Sequence, residues 1–355
     1  MKTTKIILVI LTFVLMISCR TYYRMETTLD RDGNVRRDMY AMSDSEFISE
    51  NNTVKLFMFD VNKDWVVCRF DTAITHNFFG TERSLNVKIS KTTSSIENYT
   101  KDMCGYDEKN MLATPEESLV KKWRFFYTTY SFKAIYHKFQ YDVPISIDTY
   151  LSKEEQFLWT QGGMENYKVY NGSEINDYLN EIGNKIEAWY LRNFFEISIE
   201  CINKCAKKYD LNRDKESIYK QVIDKEKEPT KINPKTVSSI LDLYYKTTYF
   251  SKLYSCNEEI LDKDFEAATF IIGYLANVID YELVVPGKQL QTNAPIIHAD
   301  TLVWKVDGMR LLFDNYSLTA EYRLPNRWAF VFSGLVLMVA LGSLGIIIRK
   351  KRNRF

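Results

Sequence analysis

Apolar residues run unbroken near the end of the chain, from Trp328 to Ile348, 21 positions without a charge. That is enough helix to cross a hydrocarbon layer of roughly 30 Å. A basic cluster follows at once: Arg349, Lys350, Lys351, Arg352 and Arg354. Lys and Arg beside a span resist translocation, so the pattern predicts a transmembrane helix over 328–348 and a cytoplasmic tail over 349–355. Everything upstream then faces the other side of that membrane. A second apolar run, Ile6 to Ile17, opens the chain behind Lys2 and Lys5. It is too short for a comfortable span and has the layout of an export signal, predicted over residues 1–18.

Between these ends the hydrophobic period changes twice. Residues 19–150 read as the first, β-rich half of an ectodomain. Runs 21–29 and 35–42 are extended and joined by Asp30-Arg31-Asp32-Gly33-Asn34, where Asp-Gly marks a hairpin turn. Asp-x-Asp also invites a calcium loop, but Gly33 falls at the wrong position and no matching Glu follows, so the turn is the better reading. Runs 54–60 and 65–71 predict a second hairpin, with short helices over 44–50 and 94–103. Residues 84–90 alternate through Leu85, Val87 and Ile89 as a strand. Residues 117–139 are so rich in aromatic and β-branched side chains that they predict one long, bent strand.

Residues 151–276 are mainly helical and read as an insertion. Ser152-Lys153-Glu154-Glu155 is a capping box. A helix from Asn171 toward Lys208 repeats apolar residues in steps of three and four, with a break expected near Gly183 or Asn193. Residues 211–231 are charge-dense and predict an exposed helix and linker. Asn233-Pro234 pairs a cap with an N1 proline before a helix over 237–253, and Asn257-Glu258-Glu259 caps another over 260–275. Residues 277–327 return to β, with strands at 281–285, 301–306 and 318–322 and a turn at Asp307-Gly308. The first and last β segments would be held at one membrane surface, which cheapens their pairing.

Composition narrows the classes. Hydrophobic residues make up 46% and charged residues 26% of the 355, ordinary for a folded ectodomain, and the net charge of +1 points away from a nucleic-acid partner. Beyond Cys19, the cysteines Cys68, Cys104, Cys201, Cys205 and Cys256 are odd in number, so a complete disulfide framework would leave one over. Cys201 and Cys205 fall one helical turn apart and read as small buried side chains. His76, His137 and His298 lie in three separate segments without metal-ligand spacing. Ser217-Ile218-Tyr219-Lys220 matches Ser-x-x-Lys but has no Lys-Thr-Gly partner. Glycosylation-type triplets start at Asn51, Asn98, Asn171 and Asn315, a frequency expected by chance in an Asn-rich bacterial chain; they leave a eukaryotic type I membrane protein as an alternative, ranked second because of Ser18-Cys19. No catalytic residue, cofactor site or metal site is assigned from these patterns.

Met16-Ile17-Ser18-Cys19 resembles the bacterial lipobox, which makes Cys19 the expected acylation site; ordinary cleavage nearby, leaving Cys19 a plain thiol, is the alternative. Asp32-Gly33 within the first hairpin, Pro286-Gly287, Trp304-Lys305-Val306-Asp307-Gly308, Ala320-Glu321-Tyr322-Arg323, Pro325-Asn326 and the span together resemble LppM-type bacterial envelope lipoproteins. The long helical middle departs from the small β domain of that family. The resemblance implies a β-rich, membrane-tethered ectodomain that binds lipid or envelope components, and it supplies no catalytic residues. The expectation is an α+β envelope lipoprotein without enzymatic activity. It would be held in the bacterial inner membrane by Cys19 acyl chains and the C-terminal span, with its ectodomain in the periplasm binding a lipid-like ligand or a partner protein. A membrane-anchored hydrolase of envelope components is the rival.

Overall fold

The computed structural model describes residues 21–31, 33–43, 56–57, 59, 61–103, 115–140, 142–161, 172–206, 209, 211–226, 231–275 and 277–352. The expected signal segment and Cys19, the helix expected over 44–50, most of the strand expected over 54–60, Cys104 and Arg354 lie outside these residues. The chain is of the α+β class, as the sequence pattern predicts. It divides into two compact units, Met1–Lys138 with Asn277–Asp307 and Asn315–Phe355, and Phe139–Ala276 with Gly308–Asp314.

The first unit is built on two sheets. Strands β1 (Tyr22–Leu29) and β2 (Val35–Ala41) form the expected hairpin. Gly33 has a φ of 99°, and Asp30 Oδ1 accepts from the backbone N–H of Gly33 at 2.7 Å and of Asn34 at 2.8 Å. Strands β3 (Val66–Phe78) and β4 (Thr81–Thr93) form the next. β3 pairs forward with β4 across Phe79-Gly80, while the partner expected for it over 54–60 lies mostly outside the described residues. Phe79 and Gly80 both take positive φ, 52° and 92°, the backbone of a two-residue hairpin turn.

A short helix α1 (Glu97–Asp102) precedes β5 (Glu116–Trp123) and β6 (Tyr127–Tyr136). These two replace the single bent strand expected over 117–139. The chain reverses at Arg124–Phe126, where Arg124 N–H donates to the Tyr127 carbonyl at 2.9 Å. After the second unit's helices come β7 (Val278–Val284), β8 (Lys288–Thr292), β9 (Ile296–His298), β10 (Thr301–Asp307) and β11 (Tyr316–Pro325). The larger sheet has the order β3-β4-β2-β1-β7-β10-β9 and the smaller β5-β6-β11-β8. β1 and β7, far apart in sequence, pair in parallel from Tyr22 with Val278 to Thr28 with Val284.

Strand alternation sends every second residue of the larger sheet inward. Met25, Thr27, Arg37, Met39, Tyr281 and Trp304 are all fully buried. They face Phe132, Ala134 and Tyr136 of β6. The Phe132 ring lies 6.2 Å from Tyr281 and 6.5 Å from Trp304. Between the sheets Arg37 donates to Glu117 Oε1 at 2.6 Å, with both side chains essentially without solvent access.

The second unit is helical: α2 (Lys153–Gln161), α3 (Gly172–Cys205), α4 (Lys215–Lys225), α5 (Pro234–Tyr245), α6 (Tyr249–Tyr274) and α7 (Gly308–Phe313). The capping box forms: Glu155 N–H donates to Ser152 Oγ, and Ser152 N–H to Glu155 Oε2. Asn233 caps α5 by accepting from Thr236 N–H at 3.0 Å. Helix α3 runs unbroken through Gly183 and Asn193. The Asn193 amide is buried and clasps the Ile145 backbone, accepting from its N–H at 3.0 Å and donating to its carbonyl at 3.1 Å.

Two further expectations change. α4 is not an exposed helix, because Ile218 and Val222 are fully buried against Phe195 and Ile240. The helix expected over 237–253 is cut at Lys246, which takes a left-handed φ of 51°. Asp242 drives the cut by capping α6, its carboxylate accepting from the N–H groups of Phe250 and Ser251 at 2.8 and 2.9 Å. Asn257 then kinks α6, at the position expected to cap a separate helix. Asp307-Gly308, expected as a turn, opens α7.

Gly287, which follows Pro286 at the end of β7, has no room for a side chain: a Cβ there would overlap the Arg323 carbonyl oxygen and lie 2.9 Å from Leu324 Cδ2. Gly287→Ala should therefore destabilise the chain by about 1–3 kcal/mol. Urea unfolding in detergent measures this, and an unchanged midpoint would show that β11 yields freely.

Candidate functional site

The outer face of the larger sheet carries a polar cluster built from Arg24, Glu26, His76, Asp280 and Glu282. Its origin is strand parity: Asp280 and Glu282 alternate with the buried Ile279, Tyr281 and Leu283 along β7, so both carboxylates point away from the core. β1 places Arg24 opposite Asp280 and Glu26 opposite Glu282. The fifth contributor arrives from elsewhere. β2 pairs with β4 only from Thr93 back to Val87, so the far end of the β3–β4 hairpin projects beyond it. A register shift between Arg69 and Ile74 marks a bulge, the usual device for bending a strand. The tip folds across the sheet, with Phe78 5.1 Å from the Tyr22 ring and the Arg83 guanidinium 4.8 Å from it. Tyr22, Tyr40, Phe78, Leu85 and Val278 form a small second core there.

This strap brings His76 to β7, although three strands separate β3 from β7 in the sheet. His76 Nε2 lies 2.7 Å from Asp280 Oδ2 and 3.8 Å from Glu282 Oε1. Arg24 grips Glu282 with two bonds, Nε to Oε1 at 2.9 Å and Nη2 to Oε2 at 2.7 Å, and also reaches Glu26 at 3.0 Å. Three carboxylates thus share one guanidinium and one imidazole. Burial pushes the Asp280 carboxyl above its ordinary value, with the His76 hydrogen bond opposing, and burial likewise raises Glu26 against the pull of Arg24. Asp280 Oδ1 is buried without a hydrogen-bond partner.

His76, Asp280 and Glu282 bring ligand atoms within 4.8 Å of one another, a set that could in principle hold a divalent cation. The geometry fits such an ion poorly. Both oxygens of Glu282 already receive hydrogen bonds from Arg24, so a metal would have to displace a guanidinium and then sit beside it. The arrangement is instead a charge-paired latch that fastens the β3–β4 tip to β1 and β7. A cleft of about 430 Å³ lies at the bulge, lined by Arg69, Phe70, Asp71, Ala73 and Asn86, and its wall is mainly polar.

Of the residues singled out by sequence, His76 belongs to this cluster, and its membership was not expected from spacing. His137 sits on the surface beside Glu116 at 3.2 Å, and His298 is exposed on β9. Cys201 is buried, its thiol pushed up to about 11 chiefly by burial, and Cys205 is half-buried one turn on. Ser217 and Lys220 are both exposed on α4. Trp328 and Ile348 lie near the two ends of the last helix, α8 (Arg327–Arg352), whose final turns hold Arg349, Lys350, Lys351 and Arg352. Spacing could not have found the latch, because His76 and Asp280 are 204 positions apart. One signal was legible: Arg24-x-Glu26 and Asp280-x-Glu282 place charges at alternate positions of two strands.

No family model and no curated protein matches the chain. Among solved structures, the NMR structure of the folded domain of LppM from Mycobacterium tuberculosis aligns over 86% of this chain and 91% of that one, with 8% identity and a TM-score of 0.28. The likeness is a weak one, at the level of the fold.

A carboxyl raised in the folded state stabilises the fold when protonated, and that contribution is lost as pH rises through its folded pKa. The wild type should therefore gain stability relative to Asp280→Asn as pH falls from neutrality toward the ordinary Asp value. Paired urea titrations at several pH values measure it; a difference moving the other way would show that the Asp280 carboxylate is stabilised by its surroundings.

Proposed function

We propose that the chain is a non-enzymatic, membrane-tethered lipoprotein of a bacterial envelope, whose β-sheet unit binds a lipid-like ligand or a partner protein close to the bilayer. The observation that supports this reading most is α8. Its stretch Arg327–Arg349 is long and apolar enough to cross a membrane, and every residue from 335 to 349 is exposed. A helix with that composition has no stable place in water. One residue, Asn326, separates it from β11, so the bilayer surface would lie directly beneath the first unit.

In this reading Arg349, Lys350, Lys351, Arg352 and Arg354 stay in the cytoplasm, and the folded units face the periplasm. Acylation of Cys19 would add a second tether just ahead of β1. The hydrolase alternative draws on the convergence of His76 with Asp280 and Glu282. That convergence offers little to a substrate, since Arg24 occupies Glu282 and the Asp280 side chain is 4% exposed.

The test is alkaline carbonate extraction of membranes from cells expressing the full chain and three variants: Cys19→Ser, a stop after Asn326, and both together. Wild type and each single variant should stay in the pellet, and the double variant should become soluble. Radiolabelled palmitate should be incorporated unless Cys19 is replaced. Release of the wild type would contradict the tether, and release by the stop alone would contradict acylation.

A further inference from the structure

The turn of the β5–β6 hairpin sits against the first turns of α8. Trp123 stacks on Trp328 with centroids 6.3 Å apart and planes 1° from parallel. Phe125 meets Trp328 edge-on at 5.3 Å and Phe332 at 6.5 Å, and Phe126 lies 5.1 Å from Phe330. Despite these contacts the rings keep wide open faces. Trp123 is 60% exposed, and Phe125, Phe126 and Tyr127 between 36% and 41%. Four aromatic residues among the five positions of a surface turn is an unusual exposure for a side-chain class that normally drives core burial.

The turn's backbone is prepared for a dry environment. Asn326 donates from its backbone N–H to the Phe126 carbonyl at 2.8 Å, and from Nδ2 to the Arg124 and Phe125 carbonyls at 2.6 and 3.1 Å. Its Oδ1 accepts from Thr128 Oγ1 at 2.9 Å. One residue thus satisfies three consecutive turn carbonyls, two through its side chain and one through its backbone N–H, that water would otherwise hydrate. Irregular backbone survives in or near hydrocarbon only when its polar groups are satisfied in this way. Lys121, Lys122, Arg124, Arg323 and Arg327 flank the aromatic group, and the Arg323 guanidinium lies 4.6 Å from the Tyr127 ring centroid. Aromatic rings with a fringe of Lys and Arg is the composition of a membrane interface, where rings enter the acyl boundary and long cations reach back to phosphate.

We propose that the β5–β6 turn, Trp123 to Tyr127, is a second membrane-contacting element that inserts into the lipid interface beside α8. The occupant of this patch is the bilayer that α8 crosses, because the aromatic group is continuous with the span's first turn. The inference rests on the reading of α8 as a span. It adds that the first unit is seated on the bilayer at two points: a helix would otherwise leave the sheets free to swivel about Asn326, and the inserted hairpin fixes one face toward the lipid.

Site-specific photocrosslinking of the full chain in native membranes tests this. p-Benzoylphenylalanine replaces, one at a time, Phe126 at the turn, Leu337 within α8, and Leu243, an exposed apolar residue of α5. After irradiation, adducts are assigned to lipid or protein by mass spectrometry. The expected result is lipid adducts at 126 and 337 alike, each at least about tenfold above Leu243, as residence in the interface requires. Lipid adducts at 337 but not at 126, or protein adducts at 126, would overturn the proposal and leave the span intact. Absence of lipid adducts at 337 would remove the span and the proposal together. A second variant, Asn326→Leu, separates positioning from mere hydrophobicity: the 126 adduct should fall severalfold while the 337 adduct persists.

Discussion

A positive and a negative charge are buried together between the two sheets of the first unit, and the placement of much else follows from that. Arg37 of β2 and Glu117 of β5 lie 2.6 Å apart with side chains 0% and 1% exposed. Removing two such ions from water costs several kcal/mol each, and their attraction recovers it only when the remaining hydrogen-bonding capacity is met. Most of it is met here. Arg37 Nε donates to Thr27 Oγ1, Nη1 to Met103 Sδ and Nη2 to Tyr281 Oη, and its plane lies over the Tyr99 ring at 4.4 Å. Tyr281 Oη also donates to Glu117 Oε1 at 2.6 Å. Burial alone would favour neutral Arg37; Glu117 and Tyr281 outweigh it and hold the guanidinium charged. Glu117 Oε2 and Tyr136 Oη remain unpaired beside it, a residual cost that apolar packing would not carry.

Such a pair is a poor source of net stability and a strict enforcer of register. Side chains alternate along a strand, so a one-residue slip of β5 against β6 would swing Glu117 to the outer face and strand Arg37 in the core. The register observed sets Glu117 opposite Ala134 and Trp123 opposite Thr128. That same register places the hairpin turn where Asn326 can hold its carbonyls and where Trp123 meets Trp328. The buried charge pair, the aromatic turn and the start of the apolar helix are therefore links of one chain of constraints. The strap that carries His76 belongs to the opposite face and is held by its own ion pairs.

What could be read from the residues alone follows how local the cause is. The β1–β2 turn, the Ser152 capping box, the Asn233-Pro234 start and the apolar run of α8 are each specified within a few positions, and each appears where expected. The β5–β6 turn was missed because Arg124-Phe125-Phe126 contains no Gly, Pro, Asn or Asp; it is stabilised by Asn326, some 200 positions away. The break at Lys246 was missed because a lysine in the left-handed region is set by the Asp242 cap that follows. α4 looked exposed because a stripe of Ile218 and Val222 is easily lost among charges. β8 is short and largely polar and β9 has only three residues, and pairing with β11 and β10 defines them. The latch and the buried pair unite residues separated by 204 and 80 positions, so only the fold of the β3–β4 strap over β7 and the stacking of the sheets bring them together.

The most direct test of this account is a double-mutant cycle on Arg37 and Glu117. Arg37→Met, Glu117→Leu and the double variant would be compared by urea unfolding of the full chain in detergent. Each single change should cost about 3–5 kcal/mol, because it abandons a buried charge, and the double variant should cost less than either. Small single effects that simply add in the double variant would contradict the claim that this pair governs how the two sheets meet.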